Sequence, residues 1–211
     1  MPRHPRTAGR ACALVSGGAD SAALVAHLLQ KGETVYPVFV LSGYRWEEAE
    51  LHWLKRLLSA LACRRLKPLT CLRAPVHGSP HWAYTGRGVP GARSADEAVF
   101  LPGRNLVLLS AAAVFAAQNG IGTLALGTLR ANPFADASPA FFASFEKTLR
   151  ACFGLPIRIR APFRRMTKAQ VVRRYAPTPW GLTFSCLSPA GSRPCGRCNK
   201  CAERAKALRG L

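Results

Sequence analysis

Residues 16 to 21 read Ser16-Gly17-Gly18-Ala19-Asp20-Ser21. Side chains this small let a backbone fold closely around an anion, and turn amides together with a helix N-terminus supply partial positive charge. Either Asp20 or Ser21 is expected to cap the helix that follows. No Lys-Ser/Thr pair comes after the glycines, so this is not the ordinary P-loop and transfer of a terminal phosphate is not implied. The plainer reading is a glycine-rich turn leading into a helix. A second constellation lies near the other end, where Cys186, Cys195, Cys198 and Cys201 follow the spacing C-x8-C-x2-C-x2-C. Four thiolates so spaced can wrap one tetrahedral ion, zinc before an iron–sulfur cluster, and such a site has no open position, which makes the metal structural. Arg193, Arg197, Lys200 and Arg204 are expected to surround this dianionic centre and donate to its sulfurs. Cys12, Cys63, Cys71 and Cys152 lack metal spacing and read as small core residues. Gly86, Gly88 and Gly91 match G-x-G-x-x-G, but Pro90 interrupts them and neither a strand before nor a helix after is present, so no dinucleotide site is implied.

The elements around these residues follow a strand–helix rhythm. Residues 11–15 form a short apolar run ending in the glycine turn, a buried strand. Residues 20–31 have helical periodicity closed by Gly32, 35–41 read as a second buried strand, and 47–61 place Leu51, Leu54, Leu58 and Leu61 on one helical face. This order implies parallel pairing with right-handed crossovers. Residues 77–102 break the rhythm with many Gly and Pro; the segment is read either as a lid, with His77, His81, Trp82 and Tyr84 over a purine ring, or as a plain surface loop. Beyond it, 105–119 reads as the most buried helix, 122–127 as a strand, 141–153 as a helix, 157–159 as a strand and 167–175 as a capped helix. His27 and His52 lie on helices and read as structural. The tail from 185 onward differs in kind, being rich in Cys, Gly and Pro. The expected architecture is α/β, a parallel twisted sheet flanked by helices over 11–184 with a small zinc-binding appendage over 185–211.

Composition bounds the rest. A chain of 211 residues with 49% hydrophobic content suits one globular domain that buries roughly 70% of its unfolded surface without disulfides. Its longest apolar stretch, 106–117, is broken at Ser110 and falls short of the about 20 residues a membrane span requires. The basic first ten residues are followed by too short an apolar run for a signal peptide, so a cytoplasmic location with reduced thiols is expected. The formal charge of +20 would attract polyanions, but scattered arginines in an alanine-rich chain also arise from compositional bias, and charge decides nothing by itself.

The 16–21 pattern resembles the PP-loop of ATP pyrophosphatases, and its combination with the four-cysteine tail resembles the 7-cyano-7-deazaguanine synthase family. Between the two, Pro102-Gly103-Arg104-Asn105 is similar to that family's P-x-R-N segment, and Pro162 with Thr167-Lys168-Ala169 to its "P-L…K" stretch. Ser185-Cys186 is similar to its "SC", and Asp136 with Pro139 and Phe141 falls where it carries D-C-R-P-x-F. Three places depart from the family: Ser42-Gly43-Tyr44-Arg45-Trp46 replaces Tyr-Gly-Gln, Asp136-Ala137-Ser138 replaces D-C-R, and Leu187 replaces a Tyr.

The resemblance implies a PP-loop fold of the adenine nucleotide α-hydrolase type and an ATP-dependent carbon–nitrogen ligase. ATP would adenylate a 7-carboxy-7-deazaguanine-type carboxylate, and ammonia would convert it to the amide and then the nitrile. It implies ATP at Val15, Ser16, Gly17, Gly18, Ala19, Asp20, Ser21 and Ala22, with Asn105, Gly127 and Asp136 close by, and Mg2+ on the phosphates. Asp20, Ser21, Arg104 and Lys168 would be the catalytic set, and zinc would sit on the four cysteines. It further implies a homodimer without a stable nucleic-acid complex. The same chemistry on another acid, an enzyme stopping at the amide, and a PP-loop tRNA sulfurtransferase remain as alternatives.

Overall fold

The computed structural model describes residues 9–76 and 80–209. Five parallel strands form one sheet: β1 (Arg10–Leu14), β2 (Thr34–Leu41), β3 (Thr70–Arg73), β4 (Thr123–Ala125) and β5 (Arg158–Arg160), in the order β3-β2-β1-β4-β5. Because successive strand side chains face opposite ways, Ala11, Ala13, Val35 and Phe39 join one core while Cys12, Val38, Val40 and Leu124 join the other. Helices α1 (Ala19–Gln30), α2 (Glu47–Ala60) and α6 (Lys168–Arg174) cover the first face. The second is covered by α4 (Arg104–Gln118) and α5 (Pro139–Phe153). The chain leaves β1 for β2 on one side and meets β4 on the other. The crevice beyond the carboxyl ends of β1 and β4 is therefore the topological switch point, where open parallel sheets take ligands.

A third core holds Tyr44, Trp46, Ala83, Val99, Leu101, Phe184, Leu187 and three of the clustered cysteines. It is built where sequence patterning is least regular. Within 77–102 the chain forms α3 (Trp82–Thr85) and a 3-10 turn (Asp96–Val99), and the tail adds α7 (Asn199–Ala207). The two segments are stitched together: Asn199 N–H donates to the Pro90 carbonyl at 3.1 Å, and the Asn199 side-chain amide donates to the Ser94 carbonyl at 2.8 Å. His77 lies outside the described residues, and His81 is the N-cap of α3, its Nδ1 accepting from Ala83 N–H at 3.3 Å. His27 Nδ1 pairs with the Tyr175 hydroxyl at 2.7 Å, as a structural histidine should.

Some expectations need correction. α4 is not the most buried helix: Leu106 and Val114, four residues either side of exposed Ser110, are 45% and 46% exposed, because one serine in an apolar run is too slight a mark to show that only one side meets the sheet. α1, which fills the sheet's centre, is buried along most of its length. The sequence pattern does not mark β3 or α7; β3 is a four-residue edge strand with alternate residues exposed, and α7 is nine residues long with four of them charged. Of the four unclustered cysteines Cys12 alone is buried, while Cys63, Cys71 and Cys152 are exposed. Among the described residues no helix is long and apolar enough to cross a membrane.

Candidate functional site

The 16–21 loop leaves β1 and opens α1 at the switch point. Gly18 is the N-cap and no side chain caps the helix, so neither Asp20 nor Ser21 has the expected role. Ser21 instead turns back, its Oγ accepting from Ser16 N–H at 2.9 Å and lying 3.2 Å from Ser16 Oγ, which closes the loop on itself. Gly17 has φ +81°, and a Cβ there would stand 3.2 Å from the Glu50 carbonyl and 3.3 Å from Leu54 Cβ. At Gly127, just past β4, a Cβ would stand 2.9 Å from the Asp20 carbonyl oxygen. Two backbones thus pass at a separation only glycine permits. A Cβ at Gly18 would meet only Ser16 Oγ and the Phe184 carbonyl, at 3.6 and 3.7 Å. These features fit an anion cradle of backbone amides at a helix start.

Thr167 begins α6 with a capping box to Gln170, which fixes Lys168 at the first helical position. Its Nζ lies 3.1 Å from Asp20 Oδ2 and 2.6 Å from Glu203 Oε1, and Lys200 holds the other oxygen of Glu203 at 2.8 Å. Burial alone would lower the lysine's pKa, but the two carboxylates outweigh it and raise it. Burial likewise opposes ionisation of Glu203, yet Lys168 and Lys200 bring its carboxyl down to about 2. Asp20 moves upward through burial despite Lys168, and its Oδ1 is buried without a partner. That unpaired oxygen beside the cradle suits a magnesium–phosphate group.

Two adjoining cavities of ≈ 250 and ≈ 230 Å³ open over the loop and share Ser16, Asp20, Ser21, Glu50, Arg104 and Gly127. The second runs over the strand ends to Val15, Phe39, Leu126 and Asn105, and the first reaches Trp46, Trp82, Leu187 and Lys200. One wall is made by Tyr44, Trp46 and Trp82, three members of a four-ring stack: Tyr84 on Tyr44 at 5.2 Å, Tyr44 on Trp46 at 5.1 Å, and Trp46 on Trp82 at 5.6 Å. The Arg104 guanidinium lies 5.5 Å from the Tyr44 ring centre with its Nε buried and unpartnered. Glu50 is 9% exposed and no hydrogen bond reaches its side chain among the described residues. Burial pushes its carboxyl up to about 8 against the pull of Arg104. Buried polar groups are normally paired, so Arg104 Nε and Asp20 Oδ1, buried without partners, mark places a polar ligand would satisfy, and Glu50 lines the same two cavities.

The four cysteine sulfurs lie within 4.8 Å of one another, and Cys195 and Cys201 are 4.0 Å apart. A zinc–sulfur bond of about 2.3 Å requires sulfurs roughly 3.8 Å apart in a tetrahedron, so the cluster fits zinc. The expected donors to sulfur are corrected. Backbone amides of Leu187, Ser188 and Cys195 point at the sulfurs, at 3.2 to 3.4 Å. Arg204 instead bonds Thr183 Oγ1 and the Trp180 carbonyl, and Lys200 bonds Glu203. The turn amides between the ligands are close enough to donate without any side chain.

The structure brings Ser16, Asp20, Ser21, Gly127, Arg104 and Lys168 to one cavity. Val15 and Asn105 line the neighbouring one, and Ala19 the first. Ala22 turns its side chain into the core. Asp136 lines neither cavity and is bonded to Asn105 instead: its carboxylate accepts from Asn105 N–H at 2.9 Å and from its side-chain amide at 3.1 Å, closing the start of α4. Glu50 and Glu203 were missed. Glu50 precedes Leu54 by four residues and Leu57 by seven, so a charge on the buried stripe of α2 was the available signal. For Glu203 no signal existed before α7 was known.

A family model described as "Queuosine biosynthesis protein QueC" matches residues 10–211. The chain is 30% identical to a 7-cyano-7-deazaguanine synthase of Anaeromyxobacter dehalogenans (strain 2CP-C), over 98% of this chain and 94% of that one. It is 32% identical to one of Anaeromyxobacter sp. (strain Fw109-5), over 95% and 92%. A solved 4-thiouridine synthetase, crystallised with RNA and bound ATP, shares the fold with a TM-score of 0.53 at 15% identity, over 96% of this chain and 54% of that one. With a full-length family match and relatives at this identity, the chain belongs to the QueC family of queuosine biosynthesis proteins.

Proposed function

We propose that this protein is an ATP-dependent ligase that activates a 7-carboxy-7-deazaguanine-type acid and converts it, with ammonia, to the amide and the nitrile. The observation that carries the reading is the cradle at the switch point, closed by Gly127 against the Asp20 backbone and opening on a cavity that holds unpaired Arg104 and Asp20 atoms. A carboxylate is a poor electrophile until its oxygen is made a leaving group. Attack of that oxygen on the α-phosphorus expels pyrophosphate, ammonia then adds to the acyl carbon as AMP departs, and a second activation on the amide oxygen gives the nitrile. In this reading the loop amides of 16–21 and Lys168 hold the pyrophosphate end, and magnesium, held at Asp20, would neutralise phosphate charge. Arg104 binds the acid's carboxylate, and the Trp46–Trp82 wall packs on its flat ring. These groups act by holding two anions together against their repulsion and in line. Zinc on Cys186, Cys195, Cys198 and Cys201 is structural, since four thiolates fill its coordination.

The cavity supports this reading over tRNA thiolation. Among the described residues the cysteine that lines either cavity is Cys186 of the four-cysteine cluster, so no further thiol stands beside the loop to carry sulfur to an activated carbon. The test is to incubate the protein with ATP, magnesium, ammonium and the carboxylated deazapurine, following pyrophosphate and product mass. Acid-dependent pyrophosphate with nitrile formation is expected. Amide alone would assign a shorter reaction, and no acid-dependent pyrophosphate would overturn the proposal.

A further inference from the structure

Lys168 is held between two elements. Asp20 of the 16–21 loop approaches it at 3.1 Å and Glu203 of α7 at 2.6 Å, with Glu203 steadied by Lys200 at 2.8 Å. α7 starts inside the cysteine cluster: Cys198 is its N-cap, Cys201 lies in its first turn, and Glu203 follows two residues later. A helix of nine residues has little stability of its own. The position of Glu203 therefore depends on what anchors that helix, which is the cluster together with the bonds of Asn199 to Pro90 and Ser94 and of Arg204 to Thr183 and Trp180. We infer that Glu203 is a positioning residue of the nucleotide site, and that through it metal loading of the cysteine cluster and triphosphate binding at the 16–21 loop are thermodynamically linked. The inference rests on the functional reading above, which puts ATP at the loop and zinc at the cluster.

The sign of the effect separates positioning from plain charge. Glu203 lines the same cavity as the loop, so its carboxylate by itself repels a phosphate, and a purely coulombic role predicts tighter nucleotide binding once it is neutralised. Positioning predicts the reverse. A lysine side chain carries much rotamer entropy, and two carboxylates on either side hold the ammonium ready for an incoming anion. With Asp20 alone, the ammonium settles on the loop carboxylate, which is the group that must change partner when magnesium arrives. Removing the metal loosens α7 and has the same consequence through Glu203.

The experiment uses the full zinc-loaded chain and magnesium α,β-methylene-ATP, which cannot be cleaved at the α-phosphorus. Nucleotide affinity is measured by calorimetry, and zinc affinity by competition with a chromophoric chelator, with and without the nucleotide. In the wild type, nucleotide is expected to strengthen zinc retention by about tenfold, and zinc to strengthen nucleotide binding by the same factor, as linkage requires. Glu203→Gln keeps the side chain's size and should retain zinc and cooperative melting, yet bind nucleotide about tenfold more weakly and lose the linkage. Unchanged or tighter nucleotide binding in Glu203→Gln, or independence of the two ligands in the wild type, overturns the inference and leaves the ligase reading standing. A wild type that holds zinc and binds no nucleotide overturns both. If Glu203→Gln melts early, Lys200→Met, which frees Glu203 from its second partner while leaving the Lys168 contact, gives the alternative measurement. A partial loss of linkage there supports positioning, and none refutes it.

Discussion

Gly127 is where β4 hands the chain over the 16–21 loop, and a methyl group there meets backbone rather than a yielding side chain. The added carbon would stand 2.9 Å from the Asp20 carbonyl oxygen, 3.1 Å from its carbon and 3.2 Å from its Cβ. To reach ordinary contact the two backbones must separate by about half an ångström, an overpacking strain that costs about 1–3 kcal/mol. For a domain of this size each kcal/mol lowers Tm by about 2–4 °C, so Gly127→Ala should melt several degrees early yet remain folded. The larger effect should be on function, because the loop that moves is the one proposed to hold pyrophosphate. A misplacement of about 1 Å can cost about a hundredfold in rate, so half that shift predicts a loss of about tenfold in kcat/KM for ATP. Gly181→Ala is the control: a Cβ there meets nothing within 4 Å, and replacing glycine at an unstrained site is neutral or mildly stabilising. Melting by calorimetry and acid-dependent pyrophosphate release would be measured on both. Gly127→Ala with wild-type nucleotide kinetics would refute the idea that the anion sits where β4 crosses the loop.

Lys168→Met leaves the Asp20 and Glu203 carboxylates, each less than a third exposed, without their shared cation; a stability loss of about 2 kcal/mol by urea melting is expected, with pyrophosphate affinity falling at least tenfold. Arg104→Lys removes a planar guanidinium and its stacking on Tyr44; KM for the acid should rise roughly tenfold, while nucleotide affinity by calorimetry stays near wild type. Glu50, whose carboxyl is pushed up to about 8, binds a proton in the folded state that the unfolded chain has already lost above its ordinary carboxylate range. Its contribution to stability therefore falls as pH rises from about 5 to 8, by up to about 1.4 kcal/mol per pH unit. Urea melts should show that slope in the wild type and not in Glu50→Gln. Cys198→Ser should drop bound zinc, measured by atomic absorption, from one equivalent to well below it.

What the sequence disclosed and what it withheld divide along a physical line. Strand–helix alternation, the anion turn and the metal spacing are local signals, each contained in a short stretch of chain, and the parallel sheet follows from them. The failures concern which partner or surface a side chain meets, near or far along the chain. Nothing near Asp136 announces that it closes the start of α4 through Asn105, thirty-one positions away. Ser21 looks like a cap but finds a nearer donor in Ser16, since the turn already brings that amide to it. The exposed face of α4 carries Leu106 and Val114, residues whose apolarity alone marks them as core. Burial is decided by what lies opposite, and an apolar stretch does not record that.

The same division says which part of the activity is secure in the fold and which is free to vary. The cradle is made by the ends of β1 and β4 and the start of α1, so its geometry comes from the sheet and tolerates little change, as Gly17 and Gly127 show. The opposite wall is assembled from Tyr44 and Trp46 after β2, from α3, and from Leu187 of the tail. None of these lies in a strand, and they include two of the three places where the chain departs from the pattern of the family it resembles. Stacked rings and a leucine make up that wall, so it can hold a flat ring by packing alone and offers few directed hydrogen bonds of its own. In the proposed reading, discrimination between one planar acid and another then falls to the polar groups at its edge, Glu50 and Arg104, because a buried polar group left without a match rejects a ligand far more strongly than an apolar face does. Changing Trp46 or Trp82 to another aromatic should therefore leave the preference among acids nearly intact, whereas Glu50→Gln should change it, a contrast that competition between substrate analogues differing in one hydrogen-bonding group would measure.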